Sequence, residues 1–304
     1  MRIGIMGDPW DANLTILEQE VSVLQAAGGS TYWLTQVWRY DALTLIPSLA
    51  LQAPDLEFAS GVVASYLRHP MTLASQALTT SLLTKGKFTL GLGLMHKPLI
   101  ENMFEMSYEK PARHMREYLD ILLPLLRQEE VSVSGHTVSY HGGMDVPGAP
   151  ACPVLLAAMG PQMLKLCGSR TDGAVLWMTG PRTLSGHIMP ALQQAADTAG
   201  RASPRLAALI PVYITDDIQA ARGFCAEKYA VYGEMPSYRE MLDREGLTGP
   251  EDYCLIGSEE QVREKLGAFA DAGATDIGLQ VNGEGDSRAR TLDFIAALAR
   301  ERAK

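Results

Sequence analysis

Short apolar runs alternate with longer segments of helical periodicity along the whole chain. Runs of strand length, bounded by turn residues, predict eight strands, at residues 2–6, 31–36, 56–63, 87–93, 154–158, 174–178, 206–214 and 275–281. Segments with apolar residues three and four apart predict helices at residues 14–27, 41–52, 69–83, 111–127, 161–167, 184–199, 217–231, 261–272 and 288–300. The chain is therefore predicted to be a series of strand–helix units.

Alternating strands and helices are typical of parallel βαβ units. Two α/β architectures are built from such units: a closed (β/α)8 TIM barrel and an open doubly wound sheet. An open nucleotide-binding sheet favours a GxGxxG turn after its first strand, and residues 4–7 (GIMG) do not supply one. We therefore favour a single (β/α)8-barrel domain over residues 1–304, and the open sheet is the alternative.

Two segments interrupt the alternation and are predicted to be insertions into the barrel. Residues 131–142 alternate at period two around Gly135-His136, which is typical of a β-hairpin. Residues 233–257 contain several Gly and Pro residues and match neither a helix pattern nor a strand pattern.

Charge and composition argue against several kinds of binding partner. The 26 basic and 35 acidic residues give a formal net charge of -9, which argues against a nucleic-acid-binding protein. No apolar run reaches membrane-spanning length and the first strand begins at once, so we expect a cytoplasmic protein without a membrane partner. The four cysteines lack metal-site spacing and are predicted to be free thiols, with no metal bound. We expect a small-molecule substrate. The sequence is compatible with either a monomer or a homodimer.

In a barrel, ligands bind at the C-terminal ends of the strands. Residues 159–161 precede a predicted helix, whose free backbone amides and positive end suit a phosphate, although an ordinary β–α turn is the alternative. Gly91 and Gly93 would let a planar ring or another backbone approach closely. The candidate site residues at the strand ends are Asp8, Gln36, Ser60, Gly61, Val62, Leu94, Met95, His96, Lys97, Met159, Gly160 and Pro161.

Two of these residues are candidates for catalysis. Histidine exchanges protons near neutral pH, so His96, after the fourth strand, is the first candidate, and a solvated loop histidine is the alternative. Asp8, after the first strand, is the second candidate. The other histidines fall on predicted helices or the hairpin and are expected to be structural. Walker, HExxH and GxSxG motifs are missing from the sequence, which argues against kinase and common hydrolase chemistry.

Four stretches of sequence carry a resemblance to a known family. They are GVVASYLRHPMTLASQALTTSLLTKGKFTLGLGLMHKPLIENMF, SYEKPARHMREYLDILLPLL, CPVLLAAMGPQMLKLCGSRTDGAVLW and YCLIGSEEQVREKLGAFADAGATDIG. In this order they resemble the luciferase-like monooxygenase superfamily, and more narrowly its bacterial branch of F420-dependent oxidoreductases. The resemblance runs over nearly the whole chain and is more specific than any single motif.

The resemblance implies a (β/α)8 barrel with a flavin-type ring at its C-terminal mouth, from coenzyme F420 or alternatively FMN. Several family members carry a cis peptide bond without proline in a bulge behind the ring. That bulge falls at residues 60–62 here, so we expect a bulge, with such a cis bond, at Gly61-Val62. The resemblance also places the coenzyme phosphate near Lys97 and residues 159–160, with Gln36 at the ring.

Three positions depart from the family pattern. Lys87 stands in place of the usual arginine and is expected to be structural. Met95 stands where a small hydroxyl residue is common, so one hydrogen bond to the coenzyme is expected to be lost. Related sugar-phosphate dehydrogenases place an Asp-His pair where this chain has Gln36-Val37, so sugar oxidation by that mechanism is not expected.

The leading hypothesis for function is hydride transfer between F420 and a small organic substrate, with reduction of a C=N or C=C bond. His96 would act as proton donor or substrate orienter, and Asp8 is the other candidate donor. One alternative is an FMN-dependent monooxygenase, which needs a dry pocket to protect an oxygen adduct. The other alternative is a flavin-binding protein without catalytic activity.

Overall fold

The structure is a computed structural model that describes residues 1–36 and 38–302. The strands in these residues are β1 (Arg2–Gly7), β2 (Thr31–Leu34), β3 (Glu57–Ser60), β4 (Val63–Ala64), β5 (Phe88–Gly93), β6 (Val131–Ser134), β7 (Ser139–Gly142), β8 (Val154–Leu156), β9 (Gly173–Trp177), β10 (Arg205–Ile214), β11 (Leu255–Gly257) and β12 (Asp276–Val281). The helices are α1 (Leu14–Ala26), α2 (Ala42–Gln52), α3 (Pro70–Leu83), α4 (Lys97–Asn102), α5 (Pro111–Leu126), α6 (Pro161–Arg170), α7 (Pro181–Thr183), α8 (Met189–Thr198), α9 (Ile218–Glu234), α10 (Pro236–Glu245), α11 (Glu259–Asp271) and α12 (Gly285–Arg302). A π-helix, Leu184–Ile188, joins α7 to α8, and a 3-10 helix spans Pro250–Tyr253.

Eight parallel strands close into a barrel in the order β1, β2, β3, β5, β8, β9, β10, β12. Closure is completed by β12, which pairs with β1 on one side and with β10 on the other. The predicted (β/α)8 TIM barrel is therefore confirmed, and the open sheet is excluded. The short strand β4 continues the line of β3 after a break and pairs with the end of β5.

Polar residues set the helix boundaries in the way that backbone hydrogen bonding requires. The side chains of Asn13, Asp41 and Ser258 accept hydrogen bonds from amides in the first turns of α1, α2 and α11. These amides have no partner within their own helices, so the caps fix where each helix begins.

The predicted hairpin is present as β6 and β7, which pair antiparallel. The second insertion is more regular than its sequence indicated. Pro236 begins α10 at a position where a missing N–H costs no hydrogen bond, and Gly246, at φ 74°, ends it in the left-handed region. Leu255 then begins β11, which pairs with the end of β10. Most of the Gly and Pro residues that suggested irregular structure stand at helix boundaries, so that part of the prediction was wrong.

Buried charges close the N-terminal end of the barrel. Arg205 lies 2.7 Å from a Glu57 oxygen on one side and 2.7 Å from an Asp276 oxygen on the other. Burial works against ionisation of Glu57, yet its hydrogen bonds from Arg205 hold the pKa of this carboxyl below its usual value. Arg2 also pairs with both acids. One guanidinium thus joins β3, β10 and β12 across the barrel.

In the part of the chain that the structure describes, no helix is long and apolar enough to cross a bilayer.

Replacing Arg205 with Met should destabilise the barrel, because it leaves two largely buried carboxylates with only Arg2 as a cation. Breaking a buried ion pair costs about 3–5 kcal/mol, so the thermal unfolding midpoint should fall by several degrees. The control is Arg263→Met, which removes an exposed ion pair with Glu301 and should change stability by less than ~1 kcal/mol. Equal midpoints for the two variants would contradict a structural role for Arg205.

Candidate active site

The floor of the barrel mouth is formed by inward-facing side chains from the ends of the strands. Met6, Leu209, Val62 and Trp177 belong to one apolar cluster inside the barrel. Gln280 is fully buried at the end of β12, and its side-chain oxygen accepts a 2.9 Å hydrogen bond from the Tyr229 hydroxyl. The interior at this end of the barrel is therefore mostly apolar with few polar groups, which is typical of the lining of small-molecule sites.

The backbone breaks at the end of β3, where the predicted bulge is confirmed. The peptide bond between Gly61 and Val62 is cis. The Thr35 hydroxyl, which sequence reasoning missed, donates a 2.7 Å hydrogen bond to the Gly61 carbonyl. The bulge is thus held from β2 and turns the backbone of residues 61–62 towards the mouth.

Ser60 and Gly91 tie the bulge to β5. The Ser60 hydroxyl donates to the Gly91 carbonyl and accepts from the Gly91 amide, both at 2.9 Å. A Cβ on Gly91 would lie 1.9 Å from the Ser60 carbonyl oxygen, and one on Gly93 would lie 2.8 Å from a Val62 methyl carbon. The predicted close backbone approach is confirmed at Gly91, whereas Gly93 makes room for side chains. The Ser60 side chain, by contrast, is buried and fully used within the protein, so only its backbone is placed to contact a ligand.

His96 is the N-cap of α4, a short helix in a segment for which the sequence predicts a loop. Its ring centroid is 5.8 Å from that of Tyr238 and 6.5 Å from that of Tyr232. Burial among these rings lowers the pKa of His96. The imidazole is therefore neutral at neutral pH and can offer either a hydrogen-bond donor or an acceptor.

An aromatic cover lies over the mouth and comes mainly from α9 and α10. Tyr232 is the centre of this cover, with ring centroids 4.8 Å from Tyr238, 6.1 Å from Trp10 and 6.1 Å from Trp177. Sequence reasoning missed the cover, although the stretch KYAVYGEMPSY is unusually rich in tyrosine for a chain that is 7% aromatic. Two rings of this cover, those of Tyr232 and Tyr238, pack beside His96.

Asp8 is held inside a polar network. One carboxylate oxygen accepts from the backbone amides of Trp10 and Asp11, at 2.8 and 3.1 Å, and the other pairs with Lys228. Burial opposes the charge of Lys228, but the Asp8 and Asp11 carboxylates raise its pKa above the usual value. With both oxygens engaged, Asp8 ties the β1 loop to α9, which disfavours the predicted role of Asp8 as proton donor.

The predicted coenzyme residues in the loop after β5 differ in burial and in hydrogen bonding. Met95 has φ 68°, in the left-handed region, and its carbonyl accepts a 3.1 Å hydrogen bond from the Tyr108 hydroxyl. Leu94 packs half-buried against the core. Lys97 is largely exposed, with its ammonium 3.7 Å from a Glu101 oxygen. Its contact with a coenzyme phosphate stays a prediction.

Gln36 is bound within the protein, since its side-chain oxygen accepts from Arg68 at 3.1 Å and from the Ala42 amide at 3.3 Å. Within residues 1–36 and 38–302, its amide nitrogen makes no hydrogen bond. Val37, compared above with the catalytic pair of sugar-phosphate dehydrogenases, lies outside the described residues.

The turn after β8 has the geometry of an anion site. Gly160 is the N-cap of α6, Pro161 occupies its first turn, and no side chain caps the free amides. A Cβ on Gly160 would meet no heavy atom within 4 Å, so the approach is open. His187 donates a 2.9 Å hydrogen bond to the Met159 carbonyl, which fixes this turn and agrees with the expected structural role of His187.

A family model described as luciferase-like monooxygenase matches residues 11–276. The chain belongs to the luciferase-like monooxygenase family. All four of its cysteines are free and buried, as predicted.

Relatives of this luciferase-like protein use two kinds of coenzyme. The 5,10-methylenetetrahydromethanopterin reductase of Methanolobus tindarius is 24% identical over 249 residues, which cover 81% of this chain and 76% of that protein. The coenzyme F420-dependent tetrahydromethanopterin reductase from Methanopyrus kandleri superposes with a TM-score of 0.83, at 18% identity and 100% coverage of both chains. The oxygenating constituent of 3,6-diketocamphane monooxygenase from Pseudomonas putida, in complex with FMN, gives 0.77 at 18% identity, covering 100% of this chain and 98% of that one.

Replacing Gly91 with Ala should disrupt the mouth of the luciferase-like barrel, because the new Cβ would overlap the Ser60 carbonyl. Forcing an extra methyl group into a packed site costs about 1–3 kcal/mol, which thermal or urea unfolding would detect. Gly267→Ala is the matched control. Gly267 lies inside α11 with open space around it, so alanine there should stabilise the protein by up to ~1 kcal/mol. Similar effects of the two substitutions would refute the close approach at Gly91.

Proposed function

We propose that this luciferase-like protein is an F420-dependent oxidoreductase that transfers a hydride between the deazaflavin and a small organic substrate. The observation that carries the proposal is the arrangement of the mouth. The cis bulge at Gly61-Val62 lies at the end of β3, where Val62 packs against an apolar cluster inside the barrel, and the uncapped start of α6 lies two barrel strands away. A planar ring fits the bulge, and a phosphate fits the free amides.

The choice of F420 over FMN is supported by the relatives. Matching proteins include methylenetetrahydromethanopterin reductases, and the superposing structures include an F420-dependent reductase and an F420-dependent secondary alcohol dehydrogenase. The FMN-bound monooxygenase of similar fold makes FMN the second candidate. The aromatic cover is compatible with either, because both chemistries gain from exclusion of water.

The residues of this chain would divide the work of holding the coenzyme. The backbone of residues 61–62 would support the ring from behind, with Leu94 and Met95 at its edge and the Gln36 amide within the same mouth. The amides that follow Gly160 would bind the phosphate. When bound, the deazaflavin supplies or accepts a hydride at its central ring carbon.

His96 is proposed to orient the substrate. Because burial lowers its pKa, the neutral imidazole prevails near neutral pH, and it can hydrogen-bond the atom next to the one that receives the hydride. This contact would hold a C=N or C=C acceptor in place, and the proton that completes its reduction would come from solvent. The aromatic rings of Tyr232 and Tyr238 pack against the imidazole and would hold it facing the substrate.

Fluorescence titration of the purified protein with F420 and with FMN tests the choice of coenzyme. We expect F420 to bind at least tenfold more tightly than FMN, a difference of about 1.4 kcal/mol. A second titration with reduced coenzymes should preserve that order. Tighter binding of FMN than of F420 would contradict the proposal and favour the monooxygenase.

Substitution of His96 tests its role separately from coenzyme binding. His96→Ala should lower the single-turnover hydride-transfer rate by ~100-fold with unchanged coenzyme affinity, and His96→Gln should retain part of the rate through its amide donor. Because burial lowers the pKa of His96, the wild-type rate should fall only at acid pH, where the imidazole becomes charged. A rate that instead rises at acid pH would identify an imidazolium donor. Near wild-type rates in both variants would remove His96 from the reaction.

A further inference from the structure

A second cavity, of about 540 Å³, lies beside the mouth and outside the barrel wall. It is bounded by the residues that follow β4, by the first turns of α3 and α5, and by the tip of the β6–β7 hairpin. None of the candidate coenzyme residues considered so far lines it. Its position between the mouth and the outer surface raises the question of what it binds.

The walls of the cavity carry a surplus of positive charge. Arg68, Lys110 and Arg113 line it, together with Glu109 as the acidic lining residue. Arg68 already pairs with Asp41. Among the described residues, neither Lys110 nor Arg113 has a carboxylate within 4.0 Å. In a chain of net charge -9, two cations without acidic partners on one wall are a local feature that overall composition does not explain.

The floor of the cavity is a rigid stack of rings. Tyr66 stacks on His114 with ring centroids 4.1 Å apart, and on Tyr108 at 5.2 Å. The two His114 nitrogens lie 3.2 Å from the hydroxyls of Ser65 and Thr137. Burial lowers the pKa of His114, so the floor is neutral and the walls supply the charge.

The same floor adjoins the mouth. The Tyr108 hydroxyl donates to the Met95 carbonyl, and the Ser65 amide donates a 2.8 Å hydrogen bond to the Gly93 carbonyl. Gly93 is the last residue of β5 and Met95 lies in the loop that follows it, beside the proposed coenzyme site. A ligand that extends outward past Met95 would therefore enter the cationic cavity.

We propose that this cavity binds the chain of carboxylates that forms the tail of coenzyme F420, with Lys110 and Arg113 as the cations that recognise it. This inference rests on the proposed function. The F420 side chain continues beyond its phosphate through lactate into glutamates, each of which carries a carboxylate. FMN ends at its phosphate and has no such tail. The cavity would therefore increase the affinity for F420 and not for FMN.

The test compares three deazaflavins that share one ring: F420 with its glutamates, the form that ends at lactate, and FO, which has neither phosphate nor tail. Wild-type protein should bind F420 about five- to tenfold more tightly than the form without glutamates, and added salt should reduce this advantage. The double variant K110E/R113E should lose the advantage and bind the form without glutamates and FO as the wild type does. Circular dichroism confirms that the variant is folded.

Lys85→Glu is the matched control, since Lys85 is an exposed lysine in the turn before β5, at the opposite end of the barrel. It should leave all three affinities unchanged. Equal binding of F420 and the form without glutamates by the wild type would overturn the inference while FO binding still supported the proposed function. Equal weakening of all three ligands in K110E/R113E would also overturn it. Binding of FMN without binding of any deazaflavin would reject the proposed function itself, and the tail site with it.

Discussion

The close approach of β3 to β5 is the constraint on which the mouth of this barrel depends. The Ser60 carbonyl occupies the space that a side chain on Gly91 would need, and the Ser60 hydroxyl closes the contact with two hydrogen bonds. With the strands this close, the chain at Gly61-Val62 bulges towards the mouth, where Thr35 holds it. The proposed ring site, the cationic cavity behind β4 and the loop that carries His96 are all built on this one junction.

The two ends of the barrel differ in the interactions that they make. At the N-terminal end, Arg205 neutralises Glu57 and Asp276 and ties three strands together. At the C-terminal end, small residues and apolar side chains leave room, and the aromatic cover from α9 and α10 packs beside His96. Stability concentrated at one end lets the other carry a recess and a break in its strands, as in other barrels of this class.

Local patterns predicted most of the fold, and long-range contacts account for what they missed. The strand and helix periods, the hairpin at residues 131–142 and the bulge at Gly61-Val62 follow from local sequence or family resemblance. The helix that begins at Pro236 was missed because Gly and Pro residues occur at helix ends as readily as in loops. The engagement of Asp8 by Lys228 depends on residues 220 positions apart. The aromatic rings beside His96 belong to Tyr232 and Tyr238, 136 and 142 positions further along the chain. Spacing alone carries no information on such contacts.

A crystal structure of the protein with F420 bound tests the central claim most directly. The account predicts that the deazaflavin ring lies against the backbone of residues 61–62, on the same side of the mouth as His96, with its phosphate at the amides after Gly160. The glutamate tail should lie between Lys110 and Arg113. A ring bound outside the mouth, or one separated from the bulge by ordered side chains, would contradict the account.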